Sequence, residues 1–262
     1  MKFNSIGFLI FGIPPYFFCA VIGSVLAICT YMILLSSKGY DITRYMKILV
    51  ASMIGLFIGA KLFGCLSGLY CALGMGESIT VDTIVNTGIV FYGGLFGMLI
   101  IFYMCLKMSS DGIKNYSAMD ILAVTIPLFH MISRVGCFLA GCCFGIQCKS
   151  FFSIFQTVID QGAEVSAWRI PVQLVEALFN LGLFLYLLRI LRKPMWREKH
   201  ILLQYLMIYS SGRFLLEFIR GDTVRGVING ISFSQLISIS IWLIVIINNK
   251  RKRRTINGNY FN

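Results

Sequence analysis

The sequence predicts an all-α polytopic membrane protein. It has seven transmembrane helices, N-terminus out and C-terminus in, and a polar cavity at the level of the outer leaflet. Three observations carry this reading. First, the chain is 58% hydrophobic and 13% charged with mean hydropathy +0.81, more apolar surface than a soluble fold can hide. Second, seven apolar runs come near or reach the ~20 residues that a helix needs to cross a bilayer. Third, the basic residues are sorted between the two ends of those runs.

The predicted spans are residues 15–35, 48–70, 88–106, 119–141, 171–191, 201–219 and 231–247. The first begins at a Pro14-Pro15 pair that interrupts the early apolar stretch. With only Lys2 ahead of it and no small-x-small cleavage site, it reads as a retained span. One side of the membrane receives Lys38, Arg44, Lys47, Lys107, Lys114, Arg189, Arg192, Lys193, Arg197, Lys199 and the five residues 250–254. The other receives Lys2, Lys149, Arg169, Arg220 and Arg225, while Lys61, Arg134 and Arg213 lie within spans. Fifteen against five orients the chain, because basic loops stay cytoplasmic. Residues 1–249 form the membrane domain and residues 250–262 a basic cytoplasmic tail. The longest outer loop, residues 146–169, contains FFSIFQTVI, either an amphipathic surface segment or an ordinary structured loop. The net charge of +12 does not point to nucleic acid, since no basic face studded with aromatics is present.

Polar residues inside the spans collect at one depth. Tyr16, Lys61, Tyr92, Arg134, Gln173, Glu176, Arg213, Glu217, Ser234 and Gln235 all fall in outer halves, and the inner halves are almost wholly apolar. An ion pathway needs polar groups through the whole thickness, so the pattern argues against a channel or transporter. A charge at the bilayer centre costs about 2.5–3.5 kcal/mol on insertion scales, which makes Arg134 and Arg213 functional candidates. Arginine holds phosphate bidentately and keeps its charge. Glu217 lies four residues after Arg213 and three before Arg220, so one helix face is expected to hold all three. Fixed cations at this depth point to an anionic phospholipid head group. Gly93, Gly94, Gly97, Gly136, Gly141 and Gly145 read first as helix packing.

These residues carry a resemblance. SRVGCFLAGCCFG (133–145) is similar to GRxGNFxNGExxG, the signature of the bacterial prolipoprotein diacylglyceryl transferase family. Weaker matches follow in order along nearly the whole chain: PPYFFCAVIG, IGAKLFG, VFYGGLFG, RIPVQLVEA, GRFLLEFIRGD and FSQLISI. The resemblance implies a multi-pass enzyme of the bacterial cytoplasmic (inner) membrane. It moves the diacylglyceryl group of phosphatidylglycerol to the thiol of a secreted precursor and releases glycerol phosphate, with no cofactor. By position, Arg134 takes the family's signature arginine, which contacts the lipid head group. Arg213 and Glu217 take its sixth-span pair, Gln173 and Glu176 its fifth-span pair, and Tyr16 falls near a family tyrosine.

The departures are local. Cys137, Ala140 and Cys142 replace the signature's two asparagines and glutamate. Tyr92 stands where many members have histidine, and His130 is new, one turn before Arg134. Three readings of the thiols stay open. They are replacements in an active transferase, or Cys137 or Cys142 is a transient carrier toward a different acceptor, or a disulfide forms, for example Cys143 with Cys148. No metal is expected, since C-x4-C-C-x4-C lacks the usual zinc spacing. A non-enzymatic lipid-binding protein is a further alternative.

Overall fold

A computed structural model describes residues 2–4, 9–75, 88, 90–108, 113–160, 163–222, 227–228 and 230–258. Among them are seven α-helices: α1 Pro15–Ser37, α2 Ile42–Met75, α3 Phe91–Lys107, α4 Ile113–Ala140, α5 Val172–Leu191, α6 Ile201–Leu216 and α7 Phe233–Gly258. Stretches of four are long and apolar enough to cross a membrane: Pro15–Ser37, Ile42–Leu73, Ser117–Ala140 and Val172–Leu191. Phe91–Lys107 and Phe233–Ile247 are shorter apolar helices. The chain is thus mostly helical and of the polytopic membrane type. Its apolar residues face outward in the way lipid requires, with Phe17, Val21 and Val25 of α1 and Val50, Ile54 and Phe57 of α2 all exposed.

The sixth predicted span, residues 201–219, changes helix type near its end. The α-helix stops at Leu216 and continues as a 3-10 turn over Glu217–Ile219. Arg220 then adopts an extended backbone, so it does not share a helix face with Arg213. The last helix, α7, runs on through residues 250–258. Arg225 lies outside the described residues.

Contacts alternate the helix directions. α4 is the central helix, with 72% of its span buried against 22% for α1. Gly23 of α1 packs on Phe129 and Ile132 of α4, while Cys19 and Pro15 meet Gly136. Asp120 near the start of α4 accepts the Leu202 N–H at 2.8 Å, satisfying one of the orphan donors at the start of α6.

The closest helix contact joins α2 and α3. A Cβ on Gly55 or Gly97 would lie 2.3 or 2.0 Å from the other residue's carbonyl oxygen. Gly59 and Gly93 are related in the same way, each 2.2 Å from the other's oxygen. Two small-xxx-small faces therefore cross backbone to backbone, as expected where lipid supplies no hydrophobic drive between helices.

To the all-α expectation the structure adds a small sheet. Within FFSIFQTVI, Ile154–Asp160 is strand β2, antiparallel to β3 Ala163–Arg169 and parallel to β1 Lys2–Asn4. Gln156 and Val158 point inward at the two-residue period of a strand. Phe151 and Phe152 are exposed just ahead of it. A short hairpin, β4 Val227–Ile228 with β5 Ile231–Ser232, leads into α7. There Ser232 and Gln235 form a reciprocal capping box, each side chain accepting the other's backbone N–H at 3.2 and 2.9 Å. Gln235 thus starts a helix rather than lining a cavity. Gln235→Ala is expected to cost about 1 kcal/mol, read as a lower Tm in detergent with transfer activity retained per folded molecule.

Candidate active site

The intramembrane charges meet in one place. α4 presents His130, Arg134 and Cys137 at spacings of four and three, one face of a helix. α5 begins after Pro171 and brings Gln173 and Glu176 to the same end. α6 contributes Arg213, and the 3-10 turn contributes Glu217.

Glu176 is the hub. Its Oε2 lies 3.1 Å from Arg134 Nε and 4.0 Å from Arg213 Nη1, and its Oε1 lies 3.5 Å from His130 Nε2. Arg213 Nη2 pairs with Glu217 Oε2 at 2.8 Å. Arg134 Nε also donates to His130 Nε2 at 3.0 Å, so that nitrogen presents a lone pair. Arg134 uses only Nε in these contacts, and its side chain keeps 11% exposure. Two arginines and two glutamates balance in charge, which lets Glu176, Arg213 and Glu217 be buried with Arg134 half-buried beside them. These groups close on one another, with His130, Glu176, Arg213 and Glu217 all buried.

Aromatic rings wall this cluster. Phe91 stacks on His130 at 4.1 Å between centroids, and Tyr209 lies 5.2 Å from it. Tyr92 packs on Tyr209 and Phe96, and its hydroxyl pairs with Ser238 of α7 at 3.0 Å. Tyr92 thus joins the wall of the cluster and binds α7 rather than either arginine. Tyr16 stands on the first turn of α1, beside the Pro15 that packs on Gly136, within the electrostatic reach of Arg134 and Cys137.

Other predicted residues hold the frame. Gln173 donates to the Cys142 carbonyl at 2.8 Å. Arg220 is bound by Asp222, with Nε donating to Oδ1 at 2.8 Å and Nη2 to Oδ2, away from the Arg213–Glu217 pair. Lys61 is exposed on the outside of α2. Gly145 lies where strand-like segments meet: a Cβ there would sit 2.2 Å from the Ile170 oxygen. Gly221 in turn donates to the Phe144 oxygen at 2.9 Å. Cys143 and Cys148 are not bridged.

Sequence reasoning missed four partners: Phe91, Tyr209, Ser238 and Asp222. It also missed that Arg169 is buried, over the Phe144 ring at 4.4 Å, with Nη1 donating to the Gly145 oxygen at 3.4 Å. Phe91 and Tyr209 read as core residues. Asp222 was the legible one, two residues from an arginine inside the quoted GRFLLEFIRGD.

Comparison with known proteins agrees with this layout. The chain is 30% identical over 240 residues to the phosphatidylglycerol--prolipoprotein diacylglyceryl transferase of Clostridium tetani, covering 88% of this chain and 91% of that protein. It is 29% identical over 258 residues to phosphatidylglycerol--prolipoprotein diacylglyceryl transferase 2 of Clostridium perfringens, covering 95% and 96%. The corresponding enzyme of Enterococcus faecalis is 26% identical over 275 residues, covering 99% and 94%. A family model described as prolipoprotein diacylglyceryl transferase matches residues 5–248. With residues 5–248 matched by the family model and relatives similar over nearly the whole chain, the chain belongs to the prolipoprotein diacylglyceryl transferase family.

Proposed function

We propose that this transferase moves the diacylglyceryl group of phosphatidylglycerol to the cysteine thiol of a prolipoprotein. It does so as a multi-pass protein of the bacterial cytoplasmic membrane. All seven helices cross, the N-terminus is outside, and residues 250–262 are cytoplasmic. The convergence of Arg134 and Arg213, from different helices, on Glu176 is the observation that supports it best.

The reaction needs a place for the departing phosphate. The acceptor thiolate attacks the glycerol carbon bearing the phosphate. A sulfur–carbon bond forms, the carbon–oxygen bond breaks, and the electron pair leaves on glycerol phosphate. The proton lost by the thiol goes to solvent or to that phosphate. Arg134 binds Glu176 through Nε, which leaves its Nη pair to grip the phosphate. Glu176 holds both guanidinium groups in place before substrate arrives, and preorganised cations cost no reorganisation when charge develops. Glu217 steadies Arg213, and Tyr92 and His130 shape the wall beside them. Tyr16 lines the approach from α1.

The test is incubation of purified protein with phosphatidylglycerol and a lipobox peptide, followed by mass spectrometry. A diacylglyceryl adduct on the peptide is expected, and its absence with well-folded protein would sink the proposal. Arg134→Ala is expected to lower the rate at least a hundredfold while the protein still folds. Normal transfer by that variant would remove the phosphate role.

A further inference from the structure

The three thiols of the signature are brought together by a helix stop. α4 ends in a Schellman arrangement. Gly141 has φ +71, its N–H donates to the Phe138 oxygen at 3.2 Å, and the Cys142 N–H donates to the Cys137 oxygen at 3.1 Å. This motif brings together the side chains at its two ends, here Cys137 and Cys142. Cys143 follows with φ +55, a left-handed backbone uncommon outside glycine. The result is that the three sulfur atoms all lie within 4.8 Å of one another. The linear spacing gave no hint of this, because the turn at Gly141 folds it back.

The surroundings fix the turn from two sides. Gln156 of β2 donates to the Phe138 oxygen at 3.2 Å, and Gln173 of α5 donates to the Cys142 oxygen. Cys137 is buried, Cys143 half-buried and Cys142 exposed, so the group has a floor and an open side. Arg134 lies one helical turn before Cys137, and a fixed cation favours thiolates. An all-sulfur donor set selects soft cations. Zinc–sulfur bonds of ~2.3 Å place tetrahedral ligand sulfurs ~3.8 Å apart, a small side-chain adjustment from the observed group.

We propose that Cys137, Cys142 and Cys143 form a trithiolate site for a zinc-class divalent cation, with its fourth position open to the acceptor's thiol. The cation and three thiolates carry one net negative charge, beside the Arg134 guanidinium one turn away. Three protein ligands plus one open position is the pattern of catalytic rather than structural zinc. An acceptor thiol bound there loses its proton to solvent, and the resulting thiolate attacks the glycerol carbon beside the arginines. The thioether product is a weak ligand and departs. This role rests on the transferase reading; the metal site does not.

The experiment uses the full-length protein in detergent, with its thiols kept reduced. One Cd2+ per chain is expected, seen by its sulfur-to-metal charge-transfer absorption, together with competition by Zn2+. Cys137→Ser, Cys142→Ser and Cys143→Ser should each weaken binding at least tenfold. No binding, or unchanged binding in the triple serine variant, overturns the site. So does a disulfide or a lipid adduct on these cysteines in protein alkylated directly in cells. If Cd2+ binds, stripping metal with a chelator should lower peptide lipidation at least tenfold and Zn2+ should restore it. Unchanged lipidation after stripping overturns the acceptor role. Cd2+ binding without lipidation under any condition supports the site and counts against the transferase reading instead.

Discussion

Glu176→Ala is expected to abolish transfer and to lower stability by about 3–5 kcal/mol, the usual cost of stranding a buried charge. The reason lies in its position. It is the carboxylate that both Arg134 and Arg213 approach, and its own side chain is only 3% exposed. Removing it leaves two guanidinium groups from α4 and α6 without the group that holds them together. Glu176→Gln keeps the shape and hydrogen-bonding capacity but not the charge, so it should retain more stability than alanine while still losing most of the rate. Thermal unfolding in detergent and the rate of peptide lipidation measure the two effects separately. A Glu176→Ala protein as stable as the parent would show that the arginines do not depend on it.

Gly97→Val should prevent assembly of the α2–α3 pair. A Cβ at Gly97 would lie 2.0 Å from the Gly55 oxygen, and backbone atoms cannot move aside as a flexible side chain can. The helices must separate, which also disturbs Gly59 against Gly93 one turn away. A loss of about 3 kcal/mol or more is expected, beyond the usual range for overpacking because backbone is displaced. Size-exclusion profiles should show aggregated or heterogeneous protein. The neighbouring glycine supplies the contrast: a Cβ on Gly94 meets Ala60 and Leu56 at 3.4 Å, an ordinary contact. Gly94→Ala should therefore behave like the parent, and equal damage at both positions would refute the crossing geometry.

The sequence made the helices legible because lipid demands long apolar runs, and Arg134 stood out for the same reason: an arginine there needs a partner. It could not show which partner. Glu176 follows Arg134 by more than forty residues, and only packing of α4 against α5 reveals that it serves two arginines. The spacing of Arg213, Glu217 and Arg220 predicts one shared helix face. That extrapolation assumed helix beyond Leu216, where the chain instead turns and gives Arg220 to Asp222. The strand after α4 was hidden by composition. SIFQTVI is apolar enough to suggest an amphipathic surface segment, yet its inward residues, Gln156 and Val158, recur at period two. The thiol cluster was illegible for a third reason, since spacing rules count residues and ignore the direction change at Gly141.

The parallel pairing of Lys2–Asn4 with Phe155–Thr157 has a bearing on biogenesis. The first strand cannot find its register until the hairpin strand exists, and that strand follows α4 in synthesis. Four helices must therefore be made before the ends of this long loop are fastened. Loop-closure entropy grows only slowly with length, by about 0.6 kcal/mol per doubling, so the delay is one of timing more than of energy. The ladder then acts as a latch, closing over a bundle whose first four helices are already made.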